Sequence, residues 1–250
     1  MKAIVVALLL LIPGAAAPSL ARAADIALLG AGVSKDTVNE LIPAFERASG
    51  HRVIATFDTG PALRKRLAAG ETYDLVITTA SEIDAFLKDG KLLAGSRTDL
   101  MKTGIGVAVR ADAPRPDIST PEALKHALLA AKTIGRSGGS SAVYIPEMLA
   151  HLGIAAETVP RLKQPLPGEQ VPDLLARGEV EIGLQQTSEL IHAPGIAYLG
   201  PLPGELQRVT VYAAGIPTTA RQQDAARVLV ETLTGPEAVA IIRHNGMDPG

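Results

Sequence analysis

The chain has 250 residues, 24 basic and 26 acidic side chains for a formal net charge of −2, no Cys, no Trp and only 3% aromatic residues. Without a basic face to displace counterions it is not expected to bind nucleic acid. Without Cys it has neither a disulfide scaffold nor a thiolate for metal ligation or nucleophilic attack, and the scarcity of aromatics leaves few platforms for stacking bases or sugars.

Residues 1–23 read as a secretory leader. Lys2 supplies a positive start, residues 3–12 are an unbroken apolar run ended by Pro13 and Gly14, and Ala21-Arg22-Ala23 is a small-x-small cleavage pattern. The run is too short for a spanning helix, which needs roughly 20 residues, and no later stretch is long and apolar enough to insert stably in a membrane. Cleavage before Ala24 leaves 227 residues with 22 basic and 26 acidic side chains, net −4.

Beyond the leader, short β-rich runs alternate with helical patterns. Strands are predicted at 25–29, 53–57, 74–78, 104–110, near 133, and at 180–185, 196–199 and 209–215. Helices are predicted at 36–49, where Val38, Leu41, Ile42 and Phe45 share one face and Gly50 stops the helix, then from Pro61 to Gly70 and over 81–88. Ser119-Thr120-Pro121-Glu122 starts another, running to about 131. A further helix runs through Leu152, and two more cover 220–233 and 236–244. Strand–helix alternation at this spacing implies parallel sheets flanked by helices.

Parallel strands bind ligands beyond their carboxyl ends, where free N–H groups and helix dipoles favour anions. Four strand-to-helix turns here are rich in Gly and small polar residues: Gly30-Ala31-Gly32-Val33-Ser34-Lys35, Asp58-Thr59-Gly60-Pro61, Arg136-Ser137-Gly138-Gly139-Ser140-Ser141 and Gln185-Gln186-Thr187-Ser188. Such residues also serve as ordinary turn formers and caps. Four of them in one chain point to a shared anion site. The first turn is not a dinucleotide fingerprint, because Lys35 stands where the third glycine is required, and it lacks the P-loop spacing. The five histidines show no metal-ligand spacing, and Ser140-Ser141 is not a GxSxG elbow. No metal or cofactor is expected.

The residues from 26 to 91 resemble molybdate-type periplasmic solute-binding proteins of ABC importers, through the Gly/Ala turn after the first strand, "LIPAFERASGHRV", "TFDTGPALRKRLAAGETYDLVITTA" and "FLKDGKL". "SRTDL", "AVYIPEMLAHLGI", "LLARGEVEIGLQQ" and "TGPEAVAIIRHNGM" continue the resemblance to the C-terminus. It implies an α/β, two-lobed type II periplasmic binding fold with mixed sheets and a ligand cleft between the lobes. One lobe would hold 24–103 plus 209–250 and the other 104–208, hinged near Thr103 and Arg208 and closing on a small anion. An inner-membrane ABC permease would be the partner.

The chain departs from that pattern where molybdate binders place hydroxyls. Val33, Gly60 and Gln186 stand at the positions of a Ser, a Ser and a Tyr, which turns the expectation from molybdate toward an organic di- or tricarboxylate. The resemblance then implies ligand contacts from Gly32, Val33, Ser34, Thr59, Gly60, Arg64, Arg136, Ser140, Ser141, the Val171 backbone, Gln185 and Gln186. Of the cations Arg64, Lys65, Arg66 and Arg136, one is expected to reach the ligand, since Arg suits bidentate carboxylate recognition. "GLQQTSEL" also resembles a branch of the family that includes an enzyme, aconitate isomerase. Under that alternative Glu189, Lys35 and Tyr144 are the candidate acid/base residues. A purely adhesive or scaffolding role would not need four polar turns.

Overall fold

The computed structural model describes residues 23–139, 141–166 and 168–250. The expected leader, apart from Ala23, and the candidate Ser140 lie outside the described residues. In chain order the elements are β1 (Asp25–Ala31), α1 (Lys35–Ser49), β2 (Arg52–Asp58), α2 (Gly60–Ala68), β3 (Leu75–Thr79), α3 (Ala80–Lys88), β4 (Thr98–Thr103), β5 (Ile105–Arg110), α4 (Pro121–Ala130) and β6 (Ile134–Arg136). They continue with α5 (Tyr144–His151), α6 (Ala155–Thr158), β7 (Leu162–Lys163), α7 (Val171–Ala176), β8 (Ile182–Gln186), β9 (Ile196–Pro201), β10 (Thr210–Gly215), α8 (Gln223–Thr234), α9 (Pro236–His244) and β11 (Asp248–Pro249).

The strands form two sheets, one ordered β11-β4-β10-β3-β1-β2 and the other β7-β6-β8-β5-β9. The central strands are apolar on both faces, as strands covered on both sides must be. In β1, Ile26 and Leu28 enter one core with Val38, Leu41, Phe45 and Leu229. Leu29, on the opposite face, enters another with Leu63, Ile83 and Phe86. The second sheet repeats the pattern. Ile105, Val107 and Val109 pack with Leu124, Leu128 and Met148, and Ala108 packs with Val171, Leu174 and Leu175. The α7 helix lies so close to this sheet that a Cβ on Gly183 would stand 2.5 Å from Val171 Cγ1; only glycine fits there.

The expectation of parallel sheets is corrected in part. The β1–β2 and β1–β3 pairs are parallel, as are β6–β7 and β6–β8. However, β10 is antiparallel to β3 and β4, and β5 is antiparallel to β8 and β9. The reason is the path of the chain. β5 and β10 are the strands that arrive from the other sheet, and they enter from the opposite end. β4 was missed because Asp99 and Lys102 break its apolar pattern. It is held by β10 and β11, partners from the far end of the chain.

The chain crosses between sheets at Gly104 and again over 202–209. These crossings are fastened to each other by Gln207, whose Oε1 accepts the Ile105 N–H at 2.8 Å and whose Nε2 donates to the Ile105 carbonyl at 3.0 Å. A Cβ on Gly104 would lie 2.6 Å from Gln207 Cδ, so the clasp depends on that glycine. Ile105 is 1% exposed, and truncating the clasp strands its N–H without water. Gln207→Ala should therefore cost about 1–3 kcal/mol, read as a lower urea midpoint; an unchanged midpoint would show that the clasp contributes nothing.

Candidate functional site

The register places the polar turns side by side. Ala31 pairs with Asp58 at the carboxyl ends of β1 and β2, so the turns that follow are neighbours, and Thr79 ends the next parallel strand. On the other sheet Arg136 pairs with Leu184, which sets the third turn beside the fourth. The two sets meet across the lobes. Ser188 Oγ donates to the Val33 carbonyl at 3.2 Å, and a Cβ on Gly32 would stand 3.5 Å from Glu189 Oε1. The four turns singled out in the sequence therefore lie on two facing edges, joined through the first and fourth.

Each candidate then has a definite place. Val33 is 6% exposed and Ser34 fully buried, and Ser34 Oγ donates back to the Ala31 carbonyl at 2.8 Å, acting as a turn brace. Thr59 is exposed, and its backbone N–H donates to Asp58 Oδ1 at 2.8 Å. The Val171 N–H is taken by Gln185 Oε1 at 2.9 Å. That fixes the carboxamide of Gln185, which hydrogen-bonds Glu189 through its remaining donor. Gln186 is 2% exposed and its Nε2 lies 3.4 Å from Thr210 Oγ1, reaching back to the first sheet. Ser141 is 2% exposed, and its hydroxyl has no hydrogen-bond partner among the described residues.

The cations differ sharply in their company. Arg64 is paired with Glu82, and Arg66 with Asp58 at 3.4 Å and Glu71 at 3.1 Å. The arginines of α2 are thus already neutralised. Arg136 is partly buried and contacts only the carbonyls of Ser137 and Ala142, at 3.3 and 3.5 Å, with no carboxylate partner among the described residues. It lies in the same turn as the unpartnered Ser141 hydroxyl. Of the predicted arginines on the facing edges, Arg136 has charge to offer an anion, while Lys65 is exposed on α2.

The three acid/base candidates have different surroundings. Glu189 is partly buried, and burial pushes its carboxyl up to about 7; the Gln185 hydrogen bond opposes this and the Asp36 carboxylate adds to it. Lys35 is exposed at the start of α1. The Tyr144 hydroxyl donates to the Leu206 carbonyl at 2.8 Å, its ring carries the Arg208 guanidinium at 5.1 Å, and burial raises its pKa. Tyr144 is therefore held to the second crossing.

Sequence reasoning missed Glu82, which follows the third strand of the first sheet and lies over the second turn. Its only signal was its place three residues after the cap residue Thr79. It also missed the stacking of His192 on His244, with ring centroids 4.7 Å apart, where the two lobes touch. Among the described residues no cluster of His, Asp and Glu could hold a metal, and no helix is long and apolar enough to cross a membrane.

The comparisons with known proteins agree with this architecture. Residues 26–248 match the family model described as bacterial extracellular solute-binding protein. The chain is 33% identical over 229 residues to an aconitate isomerase from a Pseudomonas species, covering 90% of this chain and 87% of that one. It is 24% identical over 239 residues to the molybdate-binding protein ModA of Azotobacter vinelandii, covering 90% of each. A solved periplasmic molybdate-binding protein from Azotobacter vinelandii superposes with a TM-score of 0.73 at 19% identity, over 89% of this chain and 98% of that one. With its two helix-flanked mixed sheets, its facing polar turns and a family match over nearly all of its described length, the chain belongs to the bacterial extracellular solute-binding proteins.

Proposed function

We propose that this protein captures a small organic di- or tricarboxylate between its lobes in the periplasm, as the solute-binding component of an ABC-type importer. The observation that carries the reading is Arg136, a partly buried cation without a carboxylate partner among the described residues, in the turn that also holds the unpartnered Ser141 hydroxyl. A buried hydroxyl without a partner and a guanidinium without a carboxylate, both among the described residues, are groups that a ligand carboxylate satisfies. Calorimetric titration of the mature protein with citrate, tricarballylate, cis- and trans-aconitate, molybdate and sulfate tests it. At least one carboxylate should bind, and Arg136→Ala should weaken that binding by about tenfold or more. Failure of every carboxylate to bind folded protein would overturn the reading.

Glu189 favours a second reading, an aconitate isomerase. The most similar curated relative named above carries that activity, and a cleft carboxyl with a pKa of about 7 is present in both protonation states near neutrality. In this reading the ionised Glu189 takes a proton from the methylene carbon of trans-aconitate. The C–H electron pair spreads over three carbons while Arg136 holds a carboxylate. The proton then returns at the far end of the allyl system, leaving the double bond shifted and Glu189 ionised again. Chromatography of trans-aconitate incubated with the protein should show cis-aconitate, and Glu189→Gln should slow its formation by about 100-fold or more. Inert wild-type protein that nevertheless binds trans-aconitate would leave only the binding role.

Glu189 also makes a prediction about stability. A carboxyl whose folded pKa is raised from 4.5 to about 7 adds nothing unfavourable below 4.5, where both states are protonated. Above 4.5 the unfolded chain ionises more readily, so stability is lost as pH climbs through about 7. Glu189→Gln removes this loss. The melting temperature of the variant relative to wild type should be higher at pH 8 than at pH 5, and parallel melting profiles would contradict the burial of this charge.

A further inference from the structure

Beside the second polar turn the first lobe holds a carboxylate that neither reading uses. Glu82 lies in the first turn of α3, whose N-terminus Thr79 caps by accepting the Glu82 N–H at 3.4 Å. The Thr78 hydroxyl donates to one of its carboxylate oxygens and the Arg64 guanidinium pairs with the other. These two contacts hold the carboxylate across the first turn of α2, where a Cβ on Gly60 would stand 3.3 and 3.4 Å from its two oxygens. The Glu82 side chain is 17% exposed, while its partner Arg64 is 53% exposed. Water screens the arginine more than the carboxylate, so the pair leaves negative potential on the inner side. A helix start would ordinarily attract an anion; here a fixed negative charge already occupies the space that Gly60 leaves open.

We propose that Glu82 is a specificity-determining residue of the cleft, whose carboxylate over the start of α2 excludes small inorganic tetrahedral oxyanions and admits organic acids. This rests on the reading of the cleft as an organic-acid site. A tetrahedral dianion concentrates its charge within one small sphere, and lobes closing on it from Arg136 bring that charge against Glu82. A di- or tricarboxylate spreads its charges along a carbon skeleton, so one carboxylate meets Arg136 while an uncharged part of the molecule faces Glu82. Exclusion by a like charge distinguishes ligands that attraction by Arg136 alone would not.

The test is titration of the mature protein and its variants with sodium molybdate, tungstate and sulfate, alongside citrate and trans-aconitate. Glu82→Gln keeps the shape and removes the charge, and Glu82→Ser removes the charge with a smaller side chain; circular dichroism and melting establish that each is folded. Both neutral variants, each also combined with Arg64→Gln so that no released guanidinium adds attraction, should gain inorganic oxyanion affinity by on the order of tenfold or more over wild type, whereas Glu82→Asp, which retains the charge, should not. The inference is overturned if a folded neutral variant binds the oxyanions no better than wild type, or if wild type already binds molybdate more tightly than any carboxylate. If wild type binds no carboxylate yet the neutral variants gain oxyanion affinity, exclusion by Glu82 stands and the organic-acid reading falls.

Discussion

The contact on which the site depends is the one between the first and fourth polar turns. Gly32 has no side chain, so Glu189 from the other lobe comes within 3.5 Å of where a Cβ would be, and Ser188 reaches the Val33 carbonyl beside it. That approach brings two strand ends that lie far apart in the chain to a common edge. It also takes the Glu189 carboxylate out of water, and desolvation rather than a neighbouring charge is the chief cause of its raised pKa. Bridging the lobes and raising the pKa of a carboxyl thus meet in one close approach.

Around that contact the charges are distributed unequally. On the first lobe the arginines of α2 are spent on Glu82, Asp58 and Glu71. On the second lobe Arg136 makes, among the described residues, only long contacts to the Ser137 and Ala142 carbonyls. On the proposed reading, an anion entering between the lobes is drawn to the second lobe and meets a fixed carboxylate on the first. The crossings impose a further constraint. Gln207 imitates a strand by donating to and accepting from the Ile105 backbone, and Gly104 leaves room for it. The two connections between the lobes are therefore coupled through that carboxamide and through the Leu202 N–H, which donates to the same Ile105 carbonyl at 2.9 Å.

Much of the local structure was legible in the sequence because it follows from short-range physics. The helix over 36–49 ends at Gly50, which adopts φ 72, a left-handed conformation suited to glycine. The start at Thr120-Pro121 is capped by Thr120 Oγ1, which accepts the Ala123 N–H at 3.1 Å. The four polar turns were recognisable by composition, and they do lie at strand ends. What short-range patterns could not show was strand direction. The antiparallel entry of β5 and β10 depends on where the chain comes from, and β4 is a strand because its partners supply the ladder that its own residues argue against.

The residues alone determined most of the helices, the central strands and the polar turns, though not β4, through periodicity, caps and glycine conformations that involve neighbours within a few positions. The ordered motifs along nearly the whole chain determined the family. Only the tertiary structure decided which candidate side chains have charge or hydrogen-bonding capacity left to offer. Arg64 and Arg136 look alike in sequence, yet Arg64 is paired with Glu82 while Arg136 has no carboxylate partner among the described residues. Glu189, Lys35 and Tyr144 are alike as candidates in the sequence; the close approach of Glu189 to Gly32, 157 positions away, belongs to the fold alone. Pairing and desolvation depend on distance in space, and the order of residues along the chain does not set that distance until the chain is folded.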